Sequence, residues 1–289
     1  MDNLRGAVLM TLAMLGFACG DLFIKVMTQT LPTGQLLVLM GVLGCIVFSS
    51  VLVAKRRPLL SRNMLSGAIA VRNLGEIVGT VCFITALSMT TFSMASTILQ
   101  TTPLAVTLGA ALVLHEPVGW RRWSAICVGF LGVLIVMRPS AEGIDAGAIF
   151  ALVAVAGLAS RDLATRLVPG QIDSLQLSLL GFFMQIPAGL MLGLVDDRPW
   201  VPMLGTDWMH MCAAVALNGM AYVSLVTAMR VGDISFVTLL RYTRIIFALI
   251  LAVVVFGDTL DAAMLAGCAI IAGSGLYTVI RERKIRARA

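Results

Sequence analysis

The feature that most constrains this chain is an apolar stretch about 20 residues long, repeated with short polar breaks from Gly6 to Ile280. A helix rises about 1.5 Å per residue, so each stretch can cross a hydrocarbon core of roughly 30 Å. Ten spans are expected, at residues 6–27, 33–54, 65–87, 92–114, 122–138, 146–167, 174–195, 208–229, 234–256 and 262–280. Continuous apolar runs of this length call for helices rather than barrel strands, since a helix satisfies its own backbone in lipid. The expected class is therefore an all-α integral membrane protein. Charged residues are 12% of the 289, against about 25% in soluble domains, and no soluble domain of any size is left over. The first span lacks a basic n-region and a small-residue cleavage site, so it is expected to be retained rather than removed as a signal peptide.

The net charge of +6 raises nucleic acid as a partner, but the basic residues lie in breaks that alternate with the spans. With the amino terminus inside, thirteen fall on the inner side (Arg5, Lys55, Arg56, Arg57, Arg62, Arg121, Arg122, Arg230, Arg281, Arg283, Lys284, Arg286 and Arg288) and two on the outer side (Arg138 and Arg198). This is a topological bias that places both termini in the cytoplasm, and no nucleic-acid partner is expected. The six cysteines all fall within spans at no metal-ligand spacing, so they read as small packing residues, with no metal or cofactor expected.

The chain also repeats itself. Gly6–Lys25 aligns without a gap on Gly147–Arg166 at an offset of 141, setting Gly16 on Gly157, Asp21 on Asp162 and Lys25 on Arg166. Gln35 then falls on Gln176, and at an offset of 142 Thr101 meets Thr243 and the hairpin Leu114–Pro117 meets Phe256–Thr259. Each copy, 1–143 and 144–289, carries five of the expected spans. An odd number forces the second copy to enter from the opposite side, giving two inverted five-helix repeats. Such repeats build many secondary transporters, with the substrate held where the halves meet.

Ionisable groups inside spans cost at least about 2.5 to 3.5 kcal/mol each at the bilayer centre and mark function by default. Arg244 lies about 14 Å from Ser235 along a helix, near mid-span, with Arg241 one turn away on a stripe that includes Thr238 and Ala248. The third span carries Arg72 and Glu76, the first Asp21 and Lys25, the sixth Arg161, Asp162 and Arg166. Lys25 and Arg166 lie near span ends, where they can snorkel to the interface. Asp21 with Lys25, Asp162 with Arg166, and Arg72 with Glu76 are each one turn apart and can neutralise one another. Arg241 and Arg244 have no acid within a turn and need a partner from another helix or a ligand. Gly20 stands opposite Arg161, Ala214 opposite Arg72, Asn218 opposite Glu76, Leu99 opposite Arg241 and Thr102 opposite Arg244 in the repeat. Charges present in one copy alone point to function rather than to shared folding constraints. A guanidinium fork suits carboxylate or phosphate, so an anionic or zwitterionic small molecule is the expected ligand. Pro103 and Pro187 each remove a backbone donor within a span and are read as a break or as a plain kink.

The segments TTPLAVTLGAALVLHEPVGWRRW and RYTRIIFALILAVVVFGDTLD, with the five-plus-five duplication, resemble the EamA-type branch of the drug/metabolite transporter (DMT) superfamily. The matching elements are Glu116 and Asp258 in the hairpins, Pro103 in the fourth span and the Arg241–Tyr242 pair in the ninth. The resemblance implies a basket of ten helices working by alternating access around a cavity lined by spans one, three, four, six, eight and nine. Family members carry amino acids, nucleosides, riboflavin, S-adenosylmethionine and drugs, inward or outward. The Arg72 segment and the Arg241–Tyr242 pair are also similar to the S-adenosylmethionine carriers.

The expected activity is secondary active transport of a small carboxylate-bearing or zwitterionic metabolite across a bacterial inner membrane. Arg72, Arg161, Arg241 and Arg244 are the expected anion ligands, with Gln100, Thr101, Asn218, Tyr222 and Tyr242 as hydrogen-bonding and ring contacts. Asp21, Glu76 and Asp162 are the candidates for carrying a coupled proton. The expected partners are thus a small-molecule substrate, the bilayer and protons, in a monomer or dimer. A facilitative exchanger, or an exporter of a larger metabolite such as S-adenosylmethionine, riboflavin or a drug, stays open. An intramembrane enzyme finds no H-E-x-x-H, G-x-S-x-G or metal cluster, and the two histidines, His115 and His210, lie in a hairpin and at a span edge.

Overall fold

The computed structural model describes residues 2–59, 64, 66–115, 119–138, 144–168, 172, 174–195, 198–231 and 237–286. Every regular element among them is helical. In order they are α1 (Asp2–Met27), α2 (Thr33–Ala54), α3 (Gly67–Met89), α4 (Phe92–Leu99), α5 (Thr102–Val113), α6 (Trp120–Met137), α7 (Ala146–Arg166), α8 (Ser174–Val195) and α9 (Gly205–Val231). A short 3-10 helix (Thr238–Tyr242), α10 (Thr243–Phe256) and α11 (Ala262–Arg286) follow. Among the described residues nine spans are long and apolar enough to cross a membrane, α4 with α5 forming one of them. The expected span 208–229 falls within α9.

The helices bury small residues at their closest contacts, and large apolar residues divide between the core and the outer flank. Leu194, Val254, Leu131 and Leu74 are exposed on the bundle's flank, as lipid-facing side chains are, while Leu36, Leu37, Ile98, Ala148 and Ala151 are fully buried. The largest interfaces pair α3 with α7, α1 with α9, α2 with α8 and α6 with α11. Glycine sets how closely α3 and α7 approach. A Cβ added at Gly75 would lie 2.7 Å from the Arg161 nitrogen and the Gly157 oxygen, and one at Gly157 would lie 2.6 Å from the Gly79 nitrogen. Without a hydrophobic driving force between helices in lipid, such close backbone contact supplies the packing energy. The corresponding contact of α1 with α9 brings Gly16 to Ala221 and Gly20 against the Asn218 side chain.

The repeat shows in the polar ties as well. Gln35 Nε2 donates to the Val201 carbonyl at 2.7 Å, and its repeat-mate Gln176 Nε2 donates to the Pro58 carbonyl at 2.7 Å. Each glutamine thus fastens the segment that follows its partner helix.

Two helix breaks fall at equivalent positions. The fourth span stops at Leu99 and restarts at Thr102, with Pro103 in the first turn of α5, where a missing N–H costs nothing. The ninth switches from 3-10 to α-helix between Tyr242 and Thr243 without a proline. At both junctions a threonine hydroxyl takes the carbonyl three residues back, Thr101 to Ile98 at 2.6 Å and Thr243 to Leu240 at 2.6 Å. The helical stripe expected through Thr238, Arg241 and Arg244 is accordingly replaced by a change of helix type. Pro187, by contrast, sits inside an unbroken α8. One lost donor there is tolerated because the helix continues on both sides and packs tightly on α2, where a Cβ at Gly189 would lie 2.6 Å from the Gly34 oxygen.

Candidate functional site

The ion-paired residues of the spans gather into two clusters. In the first, Arg72 on α3 pairs with Glu76 one turn on at 3.5 Å, and Arg161 reaches across from α7 to the same carboxylate at 3.4 Å. Arg161 also holds Asp162 at 2.8 Å. Arg72 donates to Asn73 Oδ1 at 3.1 Å, while its Nε is buried without a hydrogen-bond partner among the described residues. Tyr222 on α9 and Asp162 both lie within electrostatic reach of Arg72. Gly181 on α8 brings backbone to within contact of the Glu76 carboxyl, 3.4 Å from where its Cβ would stand.

In the second cluster, Asp21 on α1 pairs with Arg244 on α10, and the Arg244 guanidinium lies over the Phe17 ring, 5.2 Å from its centroid. Asn218, one turn from Tyr222 on α9, rests on Gly20 beside Asp21 and donates to the Ala214 carbonyl at 2.9 Å. A polar path therefore runs from Asp21 and Arg244 through Asn218 and Tyr222 to Arg72, Glu76, Arg161 and Asp162. Asp21, Arg72 and Glu76 are all buried, although the helices around them are predominantly apolar.

The same-helix pairings open in the sequence resolve unevenly. Arg72 and Glu76 do pair, joined by Arg161. Asp21 does not pair with Lys25, because Arg244 is presented to it by the packing of α10 on α1. Lys25 does not snorkel either: its Nζ donates to the Leu87 and Thr90 carbonyls at 2.6 and 2.8 Å, capping the last turn of α3. Those carbonyls have no helical partner, and a cation at a helix C-terminus meets the negative end of its dipole. Asp162 takes its sequence neighbour Arg161; the side chain of Arg166 lies outside the described residues.

The helix breaks hold the remaining predicted residues. Gln100 Nε2 donates to the Arg241 carbonyl at 3.2 Å, joining the two discontinuities directly. Thr101 is fully buried. Tyr242 is buried with its hydroxyl against Gly275 of α11 and without a hydrogen-bond partner among the described residues. Of the hairpin acids, Asp258 accepts from the Ser93 backbone nitrogen at 3.1 Å and its hydroxyl at 2.7 Å, capping the start of α4. It follows Gly257, whose φ of 66° turns the chain at the end of α10. Glu116 lies outside the described residues. A groove of about 290 Å³ between α1 and the 3-10 helix is lined by Ala7, Val8, Thr11, Leu12 and Leu240 and by none of the predicted site residues.

Sequence reasoning passed over Phe17 and the capping role of Lys25. The first carries no periodic signal, since a cation over a ring is a tertiary contact. The second was legible only once the end of α3 was known to lie beside α1.

Residues 4–138 and 145–280 each match the EamA-like transporter family. A riboflavin transporter of Vibrio cholerae is 27% identical over 65% of this chain and 62% of its own length. An S-adenosylmethionine uptake transporter of Rickettsia felis is 23% identical over 64% of this chain and 62% of its own. The matched region thus spans about three-fifths of the length of these relatives. A crystal structure of another protein shares the fold, with a TM-score of 0.62 at 17% identity over 98% of this chain and 99% of its own. With both halves matching and the apolar helices in place, this multi-pass membrane protein belongs to the EamA-like transporter family of the DMT superfamily.

Proposed function

We propose that the chain is a secondary active transporter of a small metabolite bearing a carboxylate, or of a zwitterion, working by alternating access. The observation that carries this reading is the path of guanidinium and carboxylate groups buried among apolar helices, where charge is retained only at a cost. Arg72, Arg161, Arg241 and Arg244 are its anion-binding candidates, with Gln100, Thr101, Asn218, Tyr222 and Tyr242 around them. Asp21, Glu76 and Asp162 are the candidates for a coupled proton.

The two halves, 1–143 and 144–289, are read as inverted five-helix repeats. Exchanging each helix for its repeat-mate turns the α1–α9 interface into the α7–α3 interface and leaves the α2–α8 and α6–α11 pairs unchanged, which supports a two-fold relation between the halves. Rocking of one half against the other would then expose the polar path to each side in turn. The basic residues of the inner loops support a reading with both termini cytoplasmic, and the bacterial sources of the relatives support a bacterial inner membrane.

A second reading, a carrier of a larger metabolite, is favoured by the riboflavin and S-adenosylmethionine named for the relatives. Uptake of labelled metabolites into proteoliposomes, with and without an imposed pH gradient, tests both. Saturable uptake of carboxylates lost in Arg244→Ala and Glu76→Gln is expected. Uptake retained in full by both variants would remove the charged path from the mechanism, and uptake of riboflavin or S-adenosylmethionine alone would favour the second reading.

A further inference from the structure

Many hydroxyls of the spans bond within their own helix: Thr11, Ser50, Thr107, Ser160 and Thr227 each donate to the carbonyl four residues back. The first half of the fourth span departs from this habit. Ser93, Ser96, Thr97 and Gln100 are spaced three and four residues apart, so they share one side of α4. All four are buried, at 9% exposure or less. Ser93 donates to Asp258, Thr97 lies 3.4 Å from Cys268 of α11, and Gln100 donates to the Arg241 carbonyl. The Ser96 hydroxyl has no partner among the described residues. This polar stripe runs from the start of α4 to the break between α4 and α5.

We propose that the stripe is the route by which a solute passes between one face of the membrane and the helix breaks, and that the contact of Asp258 with Ser93 is the latch that closes it. The proposal rests on the transporter reading and assigns the entrance at one end.

The latch joins the two halves of the chain. The Ser93 N–H and hydroxyl both go to one carboxylate oxygen of Asp258, which is itself only half-buried. Two more contacts between the halves close the same end. Phe92 is fully buried and meets Phe256 with ring centroids 5.5 Å apart, and a Cβ at Gly147 would lie 2.7 Å from the Thr90 side chain. Lys25 caps α3 there, within the field of Asp258.

A seal of this kind suits a part that moves. On opening, its hydrogen bonds are exchanged for bonds to water, so their net worth is a small fraction of their strength. The contact of α3 with α7 at Gly75 and Gly157 is of another kind, backbone against backbone midway along α3. The halves can therefore part at the latch while staying packed at that contact. A polar solute on the stripe would then supply the partner that the Ser96 hydroxyl lacks.

Cysteine labelling of the full chain in detergent tests this without a substrate and without reference to orientation. Ser96→Cys places a thiol on the stripe, one turn from the latch. Ala95→Cys places one on the opposite side of α4, at a fully buried position. Labelling by N-ethylmaleimide is read at each site by peptide mass, with native Cys45, beside Leu179 of α8, as internal reference. Adding Asp258→Ala is expected to speed labelling of Ser96→Cys about tenfold, the worth of one bond to a charged group. Ser93→Ala, which keeps the N–H bond, should speed it by less. Labelling of Ala95→Cys and of Cys45 should not change. The proposal is overturned if neither latch variant speeds Ser96→Cys, or if Ala95→Cys speeds equally, which would mean that α4 unravels. Should Asp258→Ala loosen the whole bundle, speeding Cys45 equally, Ser93→Ala decides: the proposal is overturned unless it speeds Ser96→Cys alone. None of these outcomes touches the transporter reading, which stands or falls on uptake into proteoliposomes.

Discussion

Asp21 and Arg244 form an ion pair between α1 and α10 across 223 positions of sequence. Both side chains are largely buried, at 7% and 18% relative exposure, so each depends on the other for its charge. Removing one partner of a buried pair leaves the second uncompensated, at a cost of about 3–5 kcal/mol. Asp21→Asn and Arg244→Gln are each expected to lower the melting temperature markedly. The double variant should lose less than the sum of the two. Additive losses in that cycle would mean that the residues do not support each other.

The contact of α3 with α7 depends on the absence of a side chain at Gly157, where a Cβ would meet the Gly79 backbone. Gly157→Ala is expected to destabilise by about 1–3 kcal/mol, because backbone on both sides cannot yield as a flexible side chain would. Gly219→Ala, on an open face of α9 with nothing within 4 Å, serves as the control. It should be neutral or slightly stabilising, since alanine is the better helix former by about 1 kcal/mol. Equal effects at the two positions would contradict this packing.

Lys25 closes the end of α3 through two carbonyls. Lys25→Met keeps the apolar stem and removes both bonds, each worth about 1.5–3 kcal/mol when the donor is charged. Amide hydrogen exchange should rise at the end of α3 and the start of α4 and stay unchanged in the middle of α8. Unchanged exchange near Thr90 would show that the cap contributes nothing.

The Tyr242 hydroxyl is buried without a hydrogen-bond partner among the described residues. An unmet buried hydroxyl costs about 1–3 kcal/mol. Tyr242→Phe is therefore expected to leave the ligand-free protein as stable as wild type or more so, while weakening transport if the hydroxyl serves the substrate. A clear loss of stability would mean that the hydroxyl is already satisfied.

Much of this protein was open to reading from the chain alone. The spans follow from apolar length, and the duplicated positions of Gly16 with Gly157 and Gln35 with Gln176 were visible as a repeat, although their place at recurring interfaces came from the packing. Of the five charges lacking a repeat-mate, Arg72, Glu76, Arg161 and Arg244 join the ion-paired clusters, and Arg241 lies apart from them at the helix break. The effect of each proline was harder to see: Pro103 stands at a helix start and Pro187 within an unbroken helix. A proline removes the same donor in both places, and whether the helix continues depends on what packs around it.

Length and apolarity determined the helices, and the internal repeat determined which of them are equivalent, because both are properties of order along the chain. Only the tertiary structure decided partners: Arg244 rather than Lys25 for Asp21, the end of α3 for Lys25, and no carboxylate among the described residues for Arg241. Ion pairing depends on distances of a few ångströms between different helices. Those distances are set by where glycine lets two backbones touch, which no spacing within a single helix records.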